Sequence, residues 1–477
     1  MQMRCKMTAL LFFTAALCSG AALWTGSVAE AARKTVDLVV LHVNDSHGAL
    51  HPHLLPDSTE AGGIARAATL IKSIRSQNPG RVLVLHGGDV FSRGEPLTIH
   101  TGGRANLKMM ERTGFDVMTP GNGEFYFGVD NLIEQTSAVA FDVIHANAVH
   151  KASGTMLFPP YTIREVDGVR IGILGLGMVR TNHYSAGSLT SQDPIETARR
   201  YVPELRKGAD LVILLSHLGL RADSTVVAAV PDIDLIVGGH SHTRLDSLNR
   251  FSRGKGRVPS AIAQARHRYE FLGRVDLRLR KSGGKHILEQ IDGRLIPITD
   301  SVPEDPAVKA MLDEYTSRVS EVVGVLESSL ASARAGSSPL AHLAAEAVRS
   351  VTRTDIAAVW RGTVISSLNA GPVTVADICR VHRTRTPVLA AKIKGAEIGE
   401  IARTPNLIFA GCEVQDSTIV RIAGVAVDTA AQYTVSAPIG IFLSSNALKD
   451  ASTSRTGHRV DTALERYLRQ AQSASTE

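Results

Sequence analysis

Between Val36 and Val237, short runs of β-branched and aliphatic residues alternate with stretches in which apolar residues recur every three or four positions. The runs Val36–Val43, Val82–His86, Phe141–His145, Val169–Leu174, Leu211–Leu215 and Ile233–Val237 read as strands. Ile64–Arg75, Arg104–Arg112 and Pro194–Arg206 read as amphipathic helices. Alternation of this kind predicts an α/β domain with a parallel or mixed sheet. Short strands at Ala261–Ala263, Gly273–Leu279 and Ile287–Ile291 finish it. A breaker cluster follows, from Ile296-Pro297 through Pro303-Glu304-Asp305-Pro306, and then a helical stretch near Val308–Val322. The predicted division is a first domain over 36–296, a linker with a helix over 297–322, a second α/β domain over 323–470 and a frayed polar tail over 471–477.

The first 31 residues do not fit that pattern. Arg4 and Lys6 precede an apolar stretch from Met7 to Trp24, and small residues lead to Ala29-Glu30-Ala31. Charged start, apolar middle and A-x-A exit predict a secretory signal peptide over 1–31, cleaved after Ala31. The alternative, a membrane anchor, needs a longer and purer apolar run than one diluted by Thr8, Thr14, Ser19 and Gly20. The predicted location is therefore periplasmic or secreted, with no membrane span after cleavage.

Composition narrows the class. Of 477 residues, 44% are hydrophobic and 21% charged, which excludes a disordered chain. Four cysteines are too few for a disulfide-built scaffold. Cleavage would leave Cys379 and Cys412, whose pairing the sequence does not decide. The formal charge of +6 becomes +5 once Arg4, Lys6 and Glu30 are removed. No basic run resembles a nucleic-acid arm, so the balance points weakly to small anionic ligands.

Candidate chemistry lies where predicted strands end. Val43-Asn44-Asp45-Ser46-His47, His86-Gly87-Gly88-Asp89, Leu215-Ser216-His217 and Gly238-Gly239-His240-Ser241-His242 each place Asp, Asn or His directly after an apolar run. Thr119-Pro120-Gly121-Asn122-Gly123-Glu124 adds an amide on a turn. Loops at strand ends converge in α/β sheets, and the D-x-H and H-x-H spacings put two side chains on one side of an extended segment. Carboxylates, imidazoles and an amide oxygen together suit divalent ions such as Zn, Mn, Fe or Co. His42 and His86, inside the strands, read as core histidines.

The ordered set NDSHG, GGIARAATLI, GGDVFSRGEP, GNGEFYFG, LLSHLG and DIDLIVGGHSHT resembles the calcineurin-like metallophosphoesterases, and among them the secreted 5′-nucleotidase family, over roughly 36–470. The resemblance implies a four-layer α/β/β/α domain holding two divalent metal ions, followed by a smaller α/β domain that grips a nucleoside. It implies one metal on Asp45, His47, Asp89 and His242, and a second on Asp89, Asn122, His217 and His240, with Asp89 bridging. It further implies a small phosphorylated substrate such as a nucleotide, attacked in line by a hydroxide between the metals.

The sequence departs from the family at two places. The family's turn reads Gly-Asn-His-Glu with an Asp three residues after the His; that His–Asp dyad is here Gly123 and Tyr126. Losing a positioned acid–base group costs on the order of 10²–10⁴ in rate. Arg93 and Tyr126 are candidates to reach the phosphate instead. In the second domain the family's phosphate-side Arg is Ile365, and its Pro-Phe-x-Asn reads Arg383-Thr384-Arg385-Thr386. Trp360 and Arg361 are candidates for a different substrate contact, by stacking and anion binding. Besides a hydrolase of phosphate esters, two alternatives stand: a metal- and phosphate-binding homologue impaired in catalysis, and a hydrolase of a non-nucleotide ester such as a sulfur–sulfonate linkage.

Overall fold

The computed structural model describes residues 35–92, 94–179, 186–332 and 338–476. The leader expected over 1–31 and the candidate Arg93 lie outside the described residues.

The chain opens with β1 (Thr35–Val43), β2 (Val82–His86), β3 (Val117–Met118) and β4 (Asp142–Val143), all parallel neighbours in one sheet. A second sheet follows: β5 (Tyr161–Val166), β6 (Val169–Gly177), β7 (Leu211–His217), β8 (Leu235–Val237), β9 (Asn249–Phe251) and β10 (Ser260–Ala263). The chain then returns to the first sheet as a long hairpin, β11 (Phe271–Ser282) and β12 (Lys285–Pro297). The orders are β12-β11-β1-β2-β3-β4 and β9-β10-β8-β7-β6-β5.

Both faces of β1 are apolar because both are covered, as buried parallel strands require. Val36, Leu38 and Val40 meet Ile171, Ile173 and Ile213 of the other sheet, while Val39, Leu41 and Val43 pack under the helices Ile64–Gln77 and Arg104–Thr113. The far face of the second sheet is covered by Pro194–Gly208 and Leu220–Ala229, through Tyr201, Leu205 and Val226. These layers, helices, sheet, sheet, helices, form an α/β/β/α sandwich. Each fully buried Ile, Leu or Val in it contributes roughly 1.5–3 kcal/mol.

Three expectations need correcting. The closing strands at 273–279 and 287–291 are far longer, because Gly283 and Gly284 both take positive φ (57° and 80°) and turn the chain tightly. The strand expected over Phe141–His145 contracts to Asp142–Val143; His145 N donates to Pro159 O and Ala146 N to Gly175 O, so the chain leaves the first sheet there. The polar tail expected over 471–477 instead extends the helix Val460–Thr476, since Ala471 and Gln472 are compatible with helix and its inward face is anchored by Leu464 and Leu468.

Asp305 caps the helix Pro306–Ser320, its side chain accepting from Val308 N at 3.0 Å, with proline at the first helical position. Beyond it lies a five-stranded mixed sheet: β13 (Ile356–Trp360), β14 (Pro387–Lys394), β15 (Leu407–Ala410), β16 (Gln432–Pro438) and β17 (Thr453–Arg459), in the order β15-β13-β16-β14-β17. Its helices Pro339–Thr352 and Val460–Thr476 share one apolar cluster with the helical layer of the first domain. Arg385 crosses between the two: its Nη1 donates to the carbonyls of Ile99 and His100 at the end of the helix Pro96–Thr101. A cleft of about 730 Å³ opens beside it, walled by Tyr126, Phe127 and Asn131 on one side and Arg385, Ile439 and Arg459 on the other. Cys379 and Cys412 are free thiols in separate apolar clusters.

Candidate metal centre

Five loops leave the carboxyl ends of β1, β2, β3, β7 and β8 and meet above the two sheets. In parallel sheets the loops of adjacent strands emerge on one side, so residues far apart in sequence become neighbours. Two groups of three result. Asp45, His47 and His242 form one; Asp89, His217 and His240 form the other; within each, the ligand atoms lie within 4.8 Å of one another.

Holding these side chains inward strains the backbone. Asp45, His47, Asp89, His240 and His242 all have left-handed φ, between 49° and 72°. Asp and His tolerate that region better than most residues, and such strain persists only where surroundings enforce it. Here they do: Asp45 N donates to Gly88 O, His47 N to Asp89 O and Gly48 N to Val90 O, each at 2.9 Å.

The fully buried Glu124 ties the loops together from below. Its carboxylate accepts from the backbone N–H groups of Asp89 (3.0 Å), Val90 (2.6 Å), Phe91 (3.0 Å) and Gly121 (2.6 Å). Burial and the charge of Asp89 push this carboxyl up to about 7, against the pull of the donated hydrogen bonds. Glu124 was not singled out from the sequence as a functional residue. The signal was its place two residues after Asn122, on a turn that has to connect two loops.

Each imidazole is aimed by its second nitrogen or its neighbours. His217 Nδ1 donates to Gly87 O at 2.6 Å, which turns Nε2 toward Asp89 Oδ1 (3.2 Å) and Asp45 Oδ1 (3.8 Å). Burial lowers the His217 pKa, but Asp89 and Asp45 outweigh it and raise it to about 10. His242 Nε2 is 3.3 Å from Asp45 Oδ1 and 2.9 Å from His47 Nε2. Asn122 Nδ2 donates to Tyr126 Oη at 3.2 Å, leaving its Oδ1 pointed elsewhere. Three of the atoms gathered here, Asp45 Oδ1, Asn122 Oδ1 and His217 Nε2, are buried with no hydrogen-bond partner. Buried polar atoms are rarely left so, and a site for an ion is one of the few explanations.

Glycine is required at one edge. A Cβ on Gly121 would overlap Asp89 Oδ1 and lie 2.6 Å from His217 Nε2. At Gly123 a Cβ would stand 2.9 Å from Phe91 O and 3.0 Å from Asp89 Oδ1, so a larger residue fits only if that carbonyl moves. His42 and His86 are buried in the strands, and burial lowers them to about 4 and 3, as core histidines should be.

The substrate candidates of the second domain lie apart from this. Trp360 packs in its own sheet's apolar cluster, close enough that a Cβ on Gly440 would reach its ring at 2.7 Å. Arg361 begins a short turn, its N–H donating to Asn406 O at 2.9 Å. Neither lines the cleft beside Tyr126.

A stretch overlooked in the sequence completes the rim. Asn44 grips it with both ends of its amide, donating to Arg266 O (2.6 Å) and accepting from Ala265 N (2.8 Å), while Arg268 N donates to Asp45 O (2.9 Å). Arg266, Arg268 and Tyr269 all have left-handed φ, from 55° to 60°.

Residues 38–244 match the family model for calcineurin-like phosphoesterase, and 318–461 the model for the 5′-nucleotidase C-terminal domain. The chain belongs to the 5′-nucleotidase family of calcineurin-like phosphoesterases. Within it, the Protein UshA of Yersinia enterocolitica is 27% identical over 76% of this chain and 75% of that protein. A 5′-nucleotidase of Vibrio cholerae is 26% identical over 84% of this chain and 80% of that one. The crystal structure of a 5′-nucleotidase precursor from Thermus thermophilus covers 92% of this chain and 97% of its own, at 26% identity and a TM-score of 0.56. The two-domain α/β architecture is that of the family.

Proposed function

We propose that this protein is a dinuclear metal-dependent hydrolase of phosphate esters, of the 5′-nucleotidase type. The observation that carries the reading is the trio of buried, unpartnered atoms, Asp45 Oδ1 and His217 Nε2 within the two residue groups and Asn122 Oδ1 on the turn beside them. In this reading Asp45, His47, Asp89 and His242 hold one divalent ion and Asp89, Asn122, His217 and His240 the other, with Asp89 shared. The donor set, mixing carboxylate, imidazole and amide oxygen, fits Zn, Mn, Fe or Co. When bound, such a pair supplies Lewis-acid polarisation of phosphoryl oxygens and lowers the pKa of an attacking water.

The chain's own residues do the rest. Gly87 O fixes the His217 ring, Glu124 holds the Asp89 and Asn122 loops at a set spacing, and Tyr126 keeps the Asn122 amide turned with its oxygen inward. Tyr126 thus positions a ligand rather than replacing the family's acid. The first domain spans 36–296 and the second 323–470, joined over 297–322, and residues 1–31 are a leader removed on export to the periplasm or beyond. The substrate is a small phosphorylated molecule, with nucleotides the first class to test.

Metal-replete protein is expected to hydrolyse 4-nitrophenyl phosphate, lose the activity to a chelator and regain it with Mn or Co. Absence of turnover on any phosphate ester after metal loading would sink the proposal. A second reading, metal and phosphate binding with impaired catalysis, draws support from Gly123, where the Phe91 carbonyl occupies the space a side chain would need. It predicts that inorganic phosphate binds the metal-loaded protein while no ester is turned over.

A further inference from the structure

The family's dyad positions hold Gly123 and Tyr126 in place of His and Asp, yet another imidazole sits at the centre's rim. His267 lies edge-on to His242, ring centroids 5.2 Å apart at 71°. Its Nδ1 is buried and faces Glu270 Oε1 at 3.2 Å, without an aligned hydrogen bond. Glu270 is itself buried (5% exposed), with Arg266 Nε 2.7 Å from its Oε2 and His53 Nε2 3.7 Å from its Oε1. A quarter of the His267 side chain is open to solvent. With Nδ1 buried against the carboxylate, Nε2 is on the opposite edge of the ring, the one available to a ligand.

The loop carrying this pair is built into the metal-binding segments. Asn44 and Asp45 hold it from β1, as described above, and Arg266 N donates to Thr243 O at 3.1 Å, next to His242. Tyr269, 1% exposed, anchors its far end in the core. Three left-handed non-glycine residues among four consecutive positions make this a conformation enforced by its surroundings, a recurrent property of functional loops.

We propose that His267 contacts the substrate, donating an Nε2–H hydrogen bond to an oxygen of the phosphoryl group, and that Glu270 is the positioning residue that sets its ring. The inference rests on the phosphoesterase reading above. It accounts for how the centre can retain a donor to the phosphoryl group without a side chain at 123: the doubly protonated ring directs Nδ1–H toward Glu270 and Nε2–H toward the substrate oxygen. Arg266 neutralises Glu270, so the carboxylate can approach the ring without presenting an uncompensated charge to an anionic substrate.

The test uses full-length, metal-loaded protein and two probes, inorganic phosphate by calorimetry and 4-nitrophenyl phosphate by turnover. His267→Ala is expected to weaken phosphate binding and to lower kcat/KM, each on the order of 10–100-fold, the range for losing one hydrogen bond to a charged group. Bound metal stays at the wild-type level. His267→Gln, which keeps an N–H donor, recovers part of both losses. Glu270→Gln lowers kcat/KM in the wild-type background but has no further effect in His267→Ala, as expected if it acts through His267. Unchanged phosphate affinity in His267→Ala overturns the proposal. So does loss of bound metal in that variant, which would make His267 a support for His242. If the wild-type protein turns over no ester, the phosphoesterase reading fails, and the phosphate-binding arm still decides the role of His267.

Discussion

The two halves of the centre are built differently, although the proposed function gives them Asp89 in common. Around Asp89, the imidazole of His217 has no exposed surface and is fixed through a backbone carbonyl and two carboxylates. Around Asp45, the side chains of His47 and His242 are 26% and 41% exposed, and their nearest nitrogens face each other. One half is a buried charge network; the other is an open jaw. A buried network is costly to break because removing one member strands the others, whereas an exposed one is screened by water. The proposed ion in the deep half should therefore be held more tightly, and under the proposed function a substrate would approach from the open half.

The largest expected effect comes from Asp89, the residue that the proposed function places in both halves. Asp89→Asn should reduce ester hydrolysis by roughly 10³-fold or more, because both proposed ions lose charge compensation worth several kcal/mol. Elemental analysis should find both ions depleted; loss of only one would show that the halves are independent.

Next in size is the contrast in stability. In metal-free protein, His217→Ala leaves Asp89 and Asp45 buried together without their cation and should destabilise by about 3–5 kcal/mol. His242→Asn, at the open edge and with a residue that tolerates the left-handed φ there, should cost no more than about 1 kcal/mol. Urea unfolding of the two variants measures this directly, and equal shifts would remove the distinction between deep and open halves.

Glu124→Gln preserves shape but removes the charge that gathers four backbone donors. It should weaken metal binding about 10–100-fold, the usual consequence of disturbing the groups that orient ligands. The effect should be greater for the deep half, since Asp89 and Asn122 flank it. Tyr126→Phe is the smallest change. Losing one neutral hydrogen bond to Asn122 should cost about 1 kcal/mol, roughly a fivefold change in affinity at the deep half and none at the open half.

Much of this architecture was legible because it follows from period and punctuation. The strands, each followed at once by Asp, Asn or His, announced both the sheets and the ligand candidates, and β1 and β2 keep almost the boundaries read from their apolar runs. What was not legible depends on contacts between distant segments. The rim loop at Arg266–Tyr269 carries no periodic signal; its shape comes from the amide of Asn44, more than two hundred residues earlier. The Arg385 bridge to Ile99 and His100 is equally invisible, since an arginine in a polar stretch reads as solvated until a helix end is brought to it. The long β11–β12 hairpin was underestimated for a simpler reason. Its outward positions are charged, with Arg274 against Asp276 and Arg280 against Glu289, and they mask the strand pattern at both ends.

The left-handed backbone at Asp45, His47, Asp89, His240 and His242 affects how mutational data on this centre should be interpreted. Alanine at any of the five removes a donor atom and also places a Cβ-bearing residue with little tolerance for positive φ into a conformation it resists. An alanine scan would then combine two penalties, chemical and conformational, and overstate the first. Asparagine at 45 and 89 carries the smaller conformational penalty, so the difference between the Asn and Ala variants at one position would separate the worth of the ligand from the worth of the turn that presents it.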